Sequence, residues 1–175
     1  MSEILARVGD GVASFAASDW DACAGADNPF GGKDAVLENG KFIINPQFEW
    51  TGGGMATTGE DLARWAKLMY EGRAFDRTLL PQMLDGVSAP MLGGEAKYGL
   101  GVIIRLTKLG ISYGHSGYFP GYITEMIYFP EHKISLAAQF NSSVPRAVGK
   151  PPFRFLVELA ETINNVEKKT ETSQK

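Results

Sequence analysis

Residues 98–140 consist almost wholly of β-branched and aromatic runs separated by very short links, and this stretch limits the possible folds more than any other. The runs fall at 99–105, 111–115, 122–129 and 133–140, with Lys108-Leu109-Gly110 and Pro130-Glu131-His132 between neighbours. Links of that size close hairpins, whereas a parallel pair needs a crossover of about a dozen residues or more. An antiparallel meander of three or four strands is therefore the expected sheet.

A sheet of this kind needs helices to cover it, and the flanking sequence supplies them. Thr57 precedes Glu60 by three residues and Thr58 precedes Asp61 by three, so either pair can form a capping box. Behind them Leu62, Trp65, Ala66 and Met69 recur at three- and four-residue spacing while Arg64, Lys67 and Glu71 fall elsewhere, which predicts an amphipathic helix stopped at Gly72. A shorter helix is expected over 78–84, where Pro81 sits harmlessly in the first turn. After Pro151-Pro152, one stripe of Phe155, Leu156, Leu159, Ile163 and Val166 is expected to lie on a sheet face. Residues 1–56, rich in Gly, Ala, Asp and Asn, read as irregular apart from a short strand near 41–44, and 167–175 read as a disordered polar tail. The class is α+β, with the meander packed against helices in a single domain over 1–175. At 175 residues and 44% hydrophobic content the chain can close one core.

Charge and composition remove several function classes. A net charge of -3 provides no basic face for phosphates, so a nucleic-acid partner has no electrostatic support. No run approaches the roughly 18 apolar residues of a spanning helix, so no membrane partner is expected either. The opening MSEILARVGDGVASF lacks the basic start and apolar core of an export signal, which leaves the compartment open. Cys23 is the sole cysteine, and neither His115 nor His132 has carboxylates or thiols at ligand spacing, so no metal or other cofactor is expected. His132 reads as a solvated turn residue. Gly52-Gly53-Gly54 stands before a helix but lacks the Gly-Lys-Ser/Thr ending of a phosphate loop, and reads as a tight turn.

The chemistry-bearing segment is Gly114-His115-Ser116-Gly117-Tyr118, at the end of an apolar strand. A nucleophile elbow centred on Ser116 would need glycine where Tyr118 stands, and a helix where Pro120-Gly121 and another strand follow. Read together with Asn28-Pro29-Phe30-Gly31-Gly32, Asn45-Pro46-Gln47-Phe48-Glu49-Trp50-Thr51-Gly52-Gly53-Gly54-Met55, Asp61-Leu62-Ala63-Arg64-Trp65 and Tyr98-Gly99-Leu100-Gly101, this segment completes an ordered set. The set resembles the later half of serine β-lactamase-like (penicillin-binding-protein-like) hydrolases, relatives of class C β-lactamases and D-alanyl-D-alanine carboxypeptidases, over roughly residues 25–165.

That resemblance implies the C-terminal part of the β-lactamase/transpeptidase-like fold and acyl transfer on a serine, with a small-molecule or peptide acyl substrate. Complete members are often exported. His115-Ser116-Gly117 matches the family's His-x-Gly strand. By that match His115 would supply positive charge or a proton, Ser116 and Gly117 would bind substrate, and the backbone amide of Tyr118 would donate to the oxyanion. The family's other two elements have no counterpart in these 175 residues: no Lys has Ser three positions before it, and no Tyr or Ser has Asn two positions after it. Three readings follow: a family part inactive without its nucleophile, a non-catalytic assembly module that pairs with a missing N-terminal half or with itself, and an independent hydrolase using Ser116 with His132.

Overall fold

The computed structural model describes residues 37–38, 41–42, 57–119, 122–140 and 149–173. The chain divides into two compact units, one of Met1–Thr58, Tyr118–Ile123 and Gln139–Gly149, the other of Gly59–Gly117, Thr124–Ala138 and Lys150–Lys175. In the first unit β1 (Leu37–Glu38) and β2 (Lys41–Phe42) form an antiparallel hairpin, with Leu37 opposite Phe42 and Glu38 opposite Lys41.

The sheet is antiparallel and six-stranded, in simple sequential order: β3 (Val87–Ser88), β4 (Lys97–Tyr98), β5 (Ile103–Thr107), β6 (Gly110–Phe119), β7 (Tyr122–Phe129) and β8 (Ile134–Phe140). Four of these are the meander expected from sequence. The other two are two-residue strands, too short to register as a period-two pattern. The first long strand begins at Ile103 rather than at residue 99, because Gly99-Leu100-Gly101 forms the turn that folds β4 back on β5, with Tyr98 opposite Ile103.

Two helices sandwich the sheet of the second unit. On one side α1 (Gly59–Tyr70) buries Ala66 and Tyr70 against Val102, Met126 and Tyr128, with Leu62, Trp65 and Met69 packed around them. On the other, the long C-terminal helix buries Leu156 and Ala160 against Leu109, Ile127, Phe129 and Ile134. Successive strand residues point to opposite faces, so Met126 and Tyr128 serve one core while Ile127 and Phe129 serve the other. This explains why 125–129 are buried without interruption. Full burial of a side chain such as Phe129 contributes about 1.5–3 kcal/mol. At Gly114 a Cβ would run into the carbonyl oxygen of Met126, so close approach of β6 to β7 requires glycine there.

The helical expectations need adjustment in detail. At the start of α1, Glu60 makes an i,i+4 pair with Arg64 at 2.7 Å. The expected helix over 78–84 is a 3-10 turn, Arg77–Leu79, followed by α2 (Leu80–Met83). Asp76 starts it by accepting from the Thr78 amide at 3.0 Å and hydroxyl at 2.7 Å. In the C-terminal helix, α3 (Pro152–Ser173), the covered face is Phe153, Leu156, Val157, Ala160 and Ile163. Phe155, Leu159 and Val166 from the expected stripe are 41%, 39% and 57% exposed. The helix carries more apolar surface than the sheet covers, and spacing alone does not say which part of a wide stripe is used. Where a disordered tail was expected from 167, the helix continues to Ser173, since Glu and Lys are good helix formers.

Candidate active site

Strand β6 holds Gly114-His115-Ser116-Gly117 fully extended. Its pairing with β5 runs from Gly110 opposite Thr107 to Gly114 opposite Ile103, the first residue of β5. His115, Ser116 and Gly117 therefore have no β5 residue opposite them, and among the described residues one edge of the strand lies open there. Unpaired strand edges accept an extended backbone as an added strand.

Strand alternation sends His115 and Ser116 to opposite faces of the sheet. The half-buried His115 lies on the face of Tyr113, which packs with the α1 core. Its Nε2 is 2.9 Å from the Tyr98 hydroxyl, and the two rings meet edge-on at 5.7 Å and 73°. Its Nδ1 lies 2.7 Å from the Ser116 carbonyl oxygen. Beneath this pair, the Tyr70 ring stacks on Tyr128 at 6.2 Å and tilts against Tyr113 at 5.6 Å. The Tyr70 hydroxyl is buried with no hydrogen-bond partner among the described residues. Burial, and then the neighbouring Tyr98, push its pKa above the usual phenol range. Tyr128 donates to Glu71 at 3.0 Å, and burial with that carboxylate pushes its pKa up to about 12.

On the opposite face, Ser116 Oγ donates to Glu125 Oε2 at 2.6 Å. Glu125 is 3% exposed and receives Arg105 at 3.3 Å on its other oxygen, while the Arg105 guanidinium lies 4.2 Å over the Phe153 ring. Burial raises the Glu125 pKa, although the Ser116 hydrogen bond, Arg105 and nearby His115 pull it down. The fourth residue of the segment, Gly117, is exposed, and a Cβ there would make only ordinary contact with Thr124 at 3.4 Å. Packing among the described residues thus does not require glycine at 117, in contrast to 114. Tyr118, 39% exposed, belongs to the first unit.

Of the residues singled out from sequence, His115, Ser116 and Gly117 share one extended strand, but the two polar side chains diverge. The Ser116 hydroxyl is engaged by a buried carboxylate rather than facing the His115 side. His132 stands in the β7–β8 turn, where the sequence placed it, and the Ser116 hydroxyl bonds to Glu125 rather than to His132, the partner it would need in the reading as an independent hydrolase. Sequence reasoning assigned no role to Tyr98, Arg105 or Glu125. A charge inside the apolar run 122–129 was the available signal for Glu125, since an acidic side chain so placed needs a partner.

A family model described as Beta-lactamase matches residues 8–160. No curated protein matches the chain. Among solved structures it is similar to a D-stereospecific amidohydrolase from Streptomyces sp., with 24% identity and a TM-score of 0.52. The similarity covers 61% of this chain and 31% of that one, so the chain spans less than a third of the amidohydrolase. At this identity the likeness concerns the fold.

Proposed function

The chain belongs to the Beta-lactamase family, and from that premise we propose that it forms the C-terminal part of a serine acyl-transfer site whose nucleophile lies outside these residues. The supporting observation is that β5 ends opposite Gly114, so that among the described residues one edge of β6 is open at His115, Ser116 and Gly117, with His115 on one face and an exposed glycine at 117. An acyl substrate extended along that edge would pair with the strand, and Gly117 would let its backbone approach. The Tyr118 amide would meet negative charge developing on the carbonyl oxygen, and His115 would supply charge or a proton. Ser116 would contribute through its backbone, its hydroxyl being held by Glu125.

In this reading a serine oxygen attacks the carbonyl carbon, the bond to the leaving nitrogen or oxygen breaks, and water then releases the acyl group. The substrate is an amide, lactam or ester. The name of the amidohydrolase, a structural neighbour, favours an amide. The sequence has neither Ser-x-x-Lys nor a Tyr- or Ser-x-Asn, so the isolated chain is expected to be inactive. The test is to express the chain with an upstream or neighbouring segment bearing Ser-x-x-Lys and to assay ester and amide turnover. Turnover that needs both parts and collapses in Gly117→Val supports the reading, and turnover indifferent to that substitution contradicts it.

A second reading, a non-catalytic assembly module, has its own observation. Phe155, Leu159 and Val166 form an exposed apolar stripe along α3, of the kind that another protein surface covers. Light scattering on the purified chain tests it. Association that is lost in Leu159→Glu supports this reading, and a monomer at every concentration contradicts it.

A further inference from the structure

The motif Tyr98-Gly99-Leu100-Gly101 has no assigned role in the chemistry described so far, yet its geometry leads directly to His115. The Gly99 amide donates to Val102 O at 2.8 Å and the Leu100 amide to Met83 O at 3.0 Å. A Cβ on Gly99 would run into the Met83 carbonyl oxygen, so this tight turn requires glycine. The turn sets Tyr98 opposite Ile103, and Ile103 stands opposite Gly114, the residue before His115. Because β5 begins at Ile103, the Tyr98 ring reaches past its end to the imidazole.

The two contacts of the imidazole determine its tautomer. A carbonyl oxygen has no hydrogen to give, so at 2.7 Å from Ser116 O the Nδ1 atom must carry the proton and donate it. In the neutral ring Nε2 then holds a lone pair. The Tyr98 hydroxyl, 2.9 Å away, must be the donor of that second bond. A ring held at both nitrogens has one orientation and one tautomer, as in active sites where a base is oriented by a third group. We propose that Tyr98 is the positioning residue of the His-x-Gly strand: its hydroxyl fixes His115 as the Nδ1–H tautomer and caps Nε2. The Tyr98 oxygen keeps its lone pairs to accept a hydrogen bond from a group arriving at the open edge. The use of this arrangement in acyl transfer rests on the function proposed above. The arrangement itself does not.

The chain has two histidines, so nitrogen NMR of the imidazoles tests the proposal with the protein as it stands, and His132→Gln isolates the His115 signals. The expected result is a single Nδ1–H tautomer with a hydrogen-bonded Nε2. In Tyr98→Phe, which keeps the ring contact and removes the hydroxyl, the Nε2 resonance should move to its unbonded position and the second tautomer should become populated. An Nε2–H tautomer in the unmodified chain, or His115 resonances identical in Tyr98→Phe, overturns the proposal. The wild-type tautomer decides even if the variant folds poorly. These resonances are read without turnover, so a chain that never supports acyl transfer would overturn the proposed function and leave this inference intact.

Discussion

Replacing Ser116 with alanine separates a nucleophilic role for its hydroxyl from a structural one. The change removes the 2.6 Å bond to Glu125, a carboxylate 3% exposed whose other partner among the described residues is Arg105 at 3.3 Å. Hydrogen bonds to charged groups contribute about 1.5–3 kcal/mol, and because Ser116 is itself exposed the lower end, about 1.5 kcal/mol, is expected. With a urea dependence of about 2 kcal/mol per molar, the unfolding midpoint should fall by about 0.7 M at neutral pH. The effect should also depend on pH. Burial holds the folded pKa of Glu125 above its unfolded value, so over that interval the native state binds more protons and stability falls as pH rises. Since the Ser116 bond is one of the influences lowering that pKa, its loss raises the folded value further. The penalty should therefore be smallest in acid, where the carboxyl is protonated in both folded proteins, and should grow as pH rises through the two folded values. Urea titrations of both proteins across the acidic and neutral range measure it. No loss of stability, or an equal loss at every pH, would refute this account of Ser116.

Two further substitutions test the packing. Leu156→Ala should cost about 2–5 kcal/mol and Leu159→Ala under about 1 kcal/mol in the same assay, because Leu156 is 1% exposed and Leu159 39%; equal costs would mean that α3 presents a different face. Tyr70→Phe, which deletes a buried hydroxyl without a partner among the described residues, should stabilise the protein by about 1 kcal/mol and raise Tm by about 3 °C. A clear loss of stability by calorimetry would show that the hydroxyl is bonded after all.

What could be read from the sequence was what shows locally as a run or a period. The four long strands are β-branched and aromatic runs joined by short links, and the amphipathic α1 repeats its apolar residues at three- and four-residue spacing, so composition, hydrophobic pattern and link length recover them. The tight turn at Gly99-Leu100-Gly101 and the two-residue strands β3 and β4 carry no such repeat. Their form depends on contacts with Met83 and Val102 that only the folded chain makes. On α3 the stripe is wider than the sheet, and packing chose Phe153 and Val157 over Phe155 and Leu159. At the site, the strand and its motif could be recognised from local sequence. The partners of His115 and Ser116 could not, because Tyr98 lies seventeen residues from His115 and Glu125 nine from Ser116, each on a different strand. Expectations for residues 1–36 and 43–56, including the Gly52-Gly53-Gly54 turn, lie outside the described residues.

Treatment with a serine-reactive fluorophosphonate, followed by mass analysis, tests most directly whether this strand serves a serine held elsewhere. The purified chain alone should remain unmodified, and adding a segment that bears Ser-x-x-Lys should produce a single adduct on the serine of that segment. A stoichiometric adduct on the isolated chain would contradict the account.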